Sequence, residues 1–282
     1  MKYKRVKIII VLLIMVMLSS CGKSVPVEKK KVTKVDRIEI EIENKKEKIP
    51  EMQAEAEDTQ VEATQALPEA ISGNGMTIVL DAGHQAMGNS DQEPIGPGAT
   101  ETKAKVTGGT SGCVSGLNEY ELNLTVAIKL QELLINRGYT VIMIRTTNEV
   151  DISNAQRAEI ANSVNANAFI RIHANGSDNS NVTGIMTICQ TPDNPYNASL
   201  YQQSVQLSTT ILDNLVETTG AVREKVWETD TMSGINWAMV PCTIVEMGYM
   251  SNPEEDTLLA SDDYQNKIAL GIANGIDHYN NR

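Results

Sequence analysis

From residue 76 onward the chain alternates short apolar runs with stretches of helical period. Met76-Thr77-Ile78-Val79-Leu80 is largely β-branched and apolar, the pattern of a buried strand, and it stops at Asp81-Ala82-Gly83-His84. Residues 85–116 are rich in Gly, Pro, Ser and Thr without apolar period, which predicts a long loop. From Asn118 the spacing turns helical. Leu122, Val126, Leu130, Leu133 and Leu134 fall on one stripe that Gly138 can close. Tyr139–Ile144 reads as the next strand, Ser153–Val164 as a second helix, and Ala168–Ile172 as a strand ending at His173. Thr183–Cys189 follows as a strand, Leu200–Thr219 as a helix, Cys242–Val245 as a strand ending at Glu246, and Tyr264–Tyr279 as the last helix.

Strands and helices alternate, and the strands are continuous apolar runs. That combination predicts an α/β fold, a three-layer sandwich with a mostly parallel central sheet flanked by helices. In such sheets function gathers at the carboxyl ends of the strands.

The N-terminal quarter follows other rules. Lys2, Lys4, Arg5 and Lys7 precede an apolar run, Ile8–Leu18, that is short for a bilayer span but suits a secretory signal. It ends in Leu18-Ser19-Ser20-Cys21, which resembles a bacterial lipoprotein signal over residues 1–21, with a lipid on Cys21. Residues 22–75 are predicted to be a disordered, charged linker, with Lys and Glu interleaved and few large apolar side chains to offset the entropy of ordering. Residues 76–282 form the expected catalytic domain. The predicted location is the outer face of the cytoplasmic membrane, facing the cell wall.

The net charge of −12 argues against nucleic acid, which is bound through Lys and Arg. After Cys21 only Cys113, Cys189 and Cys242 remain, with no CxxC pair, so buried free thiols are expected rather than a disulfide framework.

The candidate chemistry lies at strand ends. His84, His173 and Glu246 each close a predicted strand, and Glu119 opens the helix after the long loop. Two His plus a carboxylate is the ligand set of a hydrolytic zinc site with one open position. Zn2+ there would lower the pKa of a bound water to about 7 and polarise a carbonyl. A further carboxylate off the metal would carry the proton to the leaving group. The chain has three His in all, and His278, on a C-terminal helix, reads as a surface residue.

Four segments carry a family resemblance: Ile78–His84 (IVLDAGH), Glu119–Leu124 (EYELNL), Arg171–Asn175 (RIHAN) and Val245–Asn252 (VEMGYMSN). Together and in order they resemble the zinc-dependent N-acetylmuramoyl-L-alanine amidases of the type 3 amidase family, over about residues 76–280. The resemblance implies zinc held by His84, Glu119 and His173, with Glu246 as catalytic acid/base. It also implies peptidoglycan as substrate, cut between N-acetylmuramic acid and L-alanine. The chain departs from the family in having Gln85-Ala86 where a second Gly often follows the first His, and in a loop 85–116 that looks longer than usual.

Some assignments stay open. Glu121 competes with Glu119, although two residues apart on a helix they point in different directions and the family pattern favours Glu119. Arg157 reads as a structural ion-pair partner, Asp81 as an orienter of His84 or a turn residue, and Asn175 and Asn252 as turn residues. Trp227 and Trp237 suit either a sugar-stacking groove wall or the core. A monomer is expected. The rival functions are a catalytically quiet wall-binding or regulatory lipoprotein and a zinc peptidase of stem peptides, the latter without the helix-borne HExxH motif.

Overall fold

The computed structural model describes residues 75–281. The expected signal segment and nearly all of the linker lie outside them. No helix among the described residues is long and apolar enough to cross a membrane.

The eight strands among the described residues are β1 Thr77–Ala82, β2 Asn89–Pro94, β3 Thr102–Val106, β4 Thr140–Met143, β5 Ala168–Asn175, β6 Ile185–Cys189, β7 Arg223–Glu228 and β8 Cys242–Tyr249. The six α-helices among the described residues are α1 Glu119–Asn136, α2 Asn154–Ser163, α3 Tyr201–Thr219, α4 Ser233–Asn236, α5 Pro253–Leu259 and α6 Asp262–Tyr279. Six strands form the central sheet in the order β4-β1-β5-β8-β6-β7. Only the β6–β8 pairing is antiparallel. The predicted α/β sandwich with its mostly parallel sheet is therefore the fold observed.

Two apolar layers cover the sheet. Ile78, Leu80, Ile170, Ile172 and Val245 pack with the apolar stripes of α1, α3 and α6. Val79, Phe169, Ile188 and Ile244 pack on the other face with residues of α2 and α4, among them Ala158, Ala161 and Ile235. The alternation along each strand thus feeds two cores at once, as central strands covered on both faces require.

Four findings depart from expectation. Loop 85–116 contains an antiparallel hairpin, β2–β3, that pairs only with itself. Its residues are mostly exposed and polar, so no apolar alternation marked it. Edge strand β7 is charged at four of its six positions (REKVWE) and gave no strand signal for the same reason. Strands β5 and β8 run on to Asn175 and Tyr249, past the predicted ends at His173 and Glu246. Cys113 is exposed, against the expectation of burial, whereas Cys189 and Cys242 are buried free thiols as expected.

The α3–α6 interface depends on two glycines four residues apart. A Cβ on Gly271 would lie 2.8 Å from the Leu215 Cα, and one on Gly275 would lie 2.5 Å from the Ile211 Cα. Both obstacles are backbone, so the helices would have to move apart. Gly275→Ala should destabilise the domain by about 1–3 kcal/mol in denaturant unfolding, because overpacking outweighs the roughly 1 kcal/mol gained in helix propensity.

Candidate active site

Strand β1 delivers His84 through a turn. Ala82 ends the strand, Gly83 N–H donates to the Ile172 carbonyl, and His84 adopts φ 59°. The left-handed conformation is costly for a residue with a Cβ. It persists because every carbonyl of the turn is held. Arg145 donates to the carbonyls of Ala82 and Gly83, Arg157 to those of Ala82 and His84, and Asn123 to that of Gly83. Gly83 is needed for close approach, since a Cβ there would lie 2.2 Å from the His173 ring.

Arg157 is fully buried and forms a 2.6 Å ion pair with Asp81, which also accepts from Arg171 Nε at 2.9 Å. Burial works against the Asp81 charge, but the two guanidiniums hold its carboxyl well below the usual range. Arg157 is thus a structural pair, as the sequence indicated. Asp81 makes no hydrogen bond to the His84 ring itself and does not sit in a turn; it acts on His84 only through Arg157, which holds the His84 carbonyl. It lies inside β1, and the ring is held by Thr107, whose carbonyl takes the Nδ1 proton at 2.9 Å.

With Nδ1–H committed to Thr107, the His84 Nε2 lone pair faces Glu119 Oε1 at 3.2 Å. His173 Nδ1 lies 3.2 Å from the same oxygen. The two rings meet edge-on, with centroids 4.8 Å apart. His84, Glu119 and His173 are the one group of three or more metal-capable side chains among the described residues, with candidate donor atoms within 4.8 Å of one another. The two spacings to Glu119, 3.2 Å each, match the edge of about 3.3 Å of a tetrahedron with 2.0–2.1 Å metal–ligand bonds. The residues fit a metal.

Glu119 opens α1 and is held tightly. Its Oε2 accepts the Thr110 N–H, and its Oε1 accepts the Ala174 N–H and the Asn123 amide. Burial opposes its charge, but the His173 and His84 rings beside it bring its pKa well below the ordinary carboxylate value. Glu121 points elsewhere, accepting from the N–H and side chain of Asn118 at the helix start. Glu119, rather than Glu121, is thus the carboxylate that stands with the two imidazoles.

Glu246 stands beside the cluster. It pairs in register with His173 across the β5–β8 ladder. One extra residue on β8 then bulges out before Tyr249 meets Asn175. The Glu246 Oε2 is covered and takes no hydrogen bond. Burial, reinforced by the Glu119 charge, pushes its pKa up to about 8. Burial likewise lowers His173 to about 4, against the opposing pull of Glu119, so the imidazole is neutral at pH 7. All four predicted residues line one cavity of about 530 Å³.

The remaining candidates are placed as follows. Asn252 caps α5, accepting from the N–H groups of Glu254 and Glu255, and the Asn175 side chain accepts from Gly176 N–H. His278 is exposed, as expected. Trp237 packs against the second core and donates to the Pro94 carbonyl, so it is not a groove wall. Trp227 is exposed on β7 beneath the Lys225 ammonium. Neither Trp lines the cavities that hold Glu246. Arg145, Thr107 and Thr110 escaped the sequence reading. Arg145 acts on carbonyls distant in the chain, and Thr107 and Thr110 act through their own backbone atoms.

A model of the N-acetylmuramoyl-L-alanine amidase family matches residues 78–278. The chain belongs to this family. An N-acetylmuramoyl-L-alanine amidase of Mycobacterium tuberculosis is 26% identical to it over 226 residues, which cover 77% of this chain and 90% of that one. The crystal structure of the amidase Ami1 from Mycobacterium smegmatis superposes with a TM-score of 0.66 at 28% identity, covering 73% of this chain and 96% of that one. An amidase structure from Clostridium difficile 630 gives 0.59 at 25% identity, covering 74% and 98%. This amidase is a peptidoglycan hydrolase that acts on the amide between N-acetylmuramic acid and L-alanine.

The raised pKa of Glu246 carries a stability cost. Between its ordinary 4.5 and about 8 the folded state holds a proton that the unfolded state releases, so this group's contribution falls as pH rises across that window. In chelator-treated protein, Glu246→Gln should therefore be more stable than the parent at pH 9, with the advantage shrinking toward pH 4.5. Parallel thermal melts against pH would read this.

Proposed function

We propose that this amidase is a zinc hydrolase in which His84, Glu119 and His173 hold the metal and Glu246 carries the proton. The single observation behind the reading is the shared Glu119 Oε1, 3.2 Å from a nitrogen of each imidazole. A set of two imidazoles and one carboxylate suits Zn2+ and leaves a fourth position free. Zinc, when bound, supplies a Lewis acid that polarises the scissile carbonyl and lowers the pKa of a water, and its charge draws Glu246 down from about 8.

The protein's own groups do the rest. The Thr107 carbonyl fixes the His84 tautomer, and the Thr110 and Ala174 amides fix the Glu119 carboxylate. Glu246, ionised, takes a proton from the attacking water and hands it to the nitrogen as the C–N bond breaks. The products are a lactyl carboxylate on the sugar and a free amine on L-alanine. Presence of the whole set favours turnover over a quiet wall-binding role.

The location is also a proposal. Residues 1–21 direct export, a lipid on Cys21 anchors the chain to the outer face of the cytoplasmic membrane, and residues 22–75 tether a monomeric catalytic domain facing the wall.

Purified protein should release stem peptides bearing a free L-alanine amine from peptidoglycan, as read by mass spectrometry. New sugar reducing ends would instead indicate a glycosidase. Chelation should abolish the release and Zn2+ should restore it. Glu246→Gln should retain zinc by metal analysis while losing about 10²–10⁴-fold in kcat. Cys21→Ala should move the protein from the membrane fraction to the medium in cell fractionation.

A further inference from the structure

The scissile amide joins two unlike pieces, a neutral polyhydroxylated sugar and a peptide with free carboxylates. The site has two matching openings. His84, His173 and Glu246 line both the 530 Å³ cavity and a second one of about 410 Å³. The two cavities differ in chemistry. The first is walled by Thr110, Asn175, Ser177, Asp178 and Ser251, and its charged groups besides Glu246 are Glu119 and Asp178. The second lies between strand β3 and residues 231–234, with Ile188, Ile244 and Met232 as apolar lining and Lys103 and Arg171 as its cations.

Charge beneath the second cavity is positive. Asp81 is shared by Arg157 and Arg171, so the buried trio carries one net positive charge. Lys103 adds another at the rim, where its ammonium spans the opening to the Thr231 carbonyl. In a chain of net charge −12, Lys103 and Arg171 beside the catalytic carboxylate make a local exception. Clefts of one sign concentrate ligands of the other. Hydroxyls and amides, by contrast, suit the hydrogen bonding of a sugar.

We infer that the second cavity receives the stem peptide and the first the muramic acid, and that Lys103 selects a free carboxylate on the residue following L-alanine. This rests on the amidase reading above. The apolar lining accepts the L-alanine methyl, and the Lys103 ammonium, which keeps two donors beyond its bond to Thr231, meets the next carboxylate. Glu246, common to both cavities, stands where the proton must reach the departing amine.

The test uses full-length, zinc-loaded protein and two soluble substrates. One is N-acetylmuramoyl-L-alanine extended by an acidic residue with a free α-carboxylate, and the other is its α-amide. The acid should be preferred about five- to tenfold in kcat/KM, mainly through KM, and added salt should narrow the gap. Lys103→Gln retains a donor for Thr231 but removes the charge, and it should bring the ratio near one, while Lys103→Arg should keep it. Equal use of both substrates by the parent would overturn the inference, as would a ratio unchanged in Lys103→Gln. A ratio governed by Asp178→Asn instead would mean that the peptide lies in the first cavity. Cleavage of neither substrate would sink the amidase reading itself and the inference with it.

Discussion

The site depends on a clamp of buried guanidiniums around one turn. Where β1 ends, the chain leaves the sheet, His84 takes a left-handed backbone, and the carbonyls of Ala82, Gly83 and His84 all look to side chains for donors. Buried carbonyls without partners are expensive. Arg145 and Arg157 supply the missing donors, with Asn123 as third, so the turn is held in a single conformation. The clamp is itself tied down, because Asp81 binds Arg157 and Arg171 from inside β1. A buried ion pair adds little net stability over apolar packing, yet removing one partner strands a charge. Its value here is geometric: it fixes where the His84 ring stands.

A second constraint radiates from Glu119. Its two oxygens take hydrogen bonds from the Thr110 and Ala174 amides and the Asn123 side chain, and both imidazoles lean on it. These contacts join α1, β5 and the loop after β3. The loop is tethered in turn by Asp256 of α5, which accepts the N–H groups of Val114 and Ser115 and the Ser115 hydroxyl. A carboxylate so fully satisfied is rigid as well as ionised. Glu246, one strand over, has the opposite surroundings: a covered oxygen without a partner and a pKa near 8. Two carboxylates whose environments push their pKa values apart are suited to two different tasks, one to hold a metal and one to move a proton.

The same division extends outward into two cavities that share His84, His173 and Glu246 but differ in charge and polarity. The β2–β3 hairpin makes the difference. Lys103 reaches from it to Thr231, and Trp237 Nε1 holds its Pro94 carbonyl, so it stands as a wall beside the metal-capable cluster.

The sequence by itself determined the layer architecture, the strands that lead to His84 and carry His173 and Glu246, and the candidate donors. Apolar period and residue type are local signals, and Leu122, Val126 and Leu130 on α1 or Ile170 and Ile172 on β5 announce their own burial. Four motifs in order were enough to resemble the right family. Tertiary structure alone decided what has no local signal. The hairpin and β7 are mostly polar and solvent-facing, so their sequence carries no run of large apolar residues to mark a strand. Asp81 could not be assigned from its neighbours, because its partners Arg157 and Arg171 are 76 and 90 residues away. Thr107 holds His84 through a backbone carbonyl, an atom every residue possesses and no sequence marks. The charge difference between the cavities likewise belongs to no segment. It exists only once β3, β5 and the loop before α4 are folded against one another.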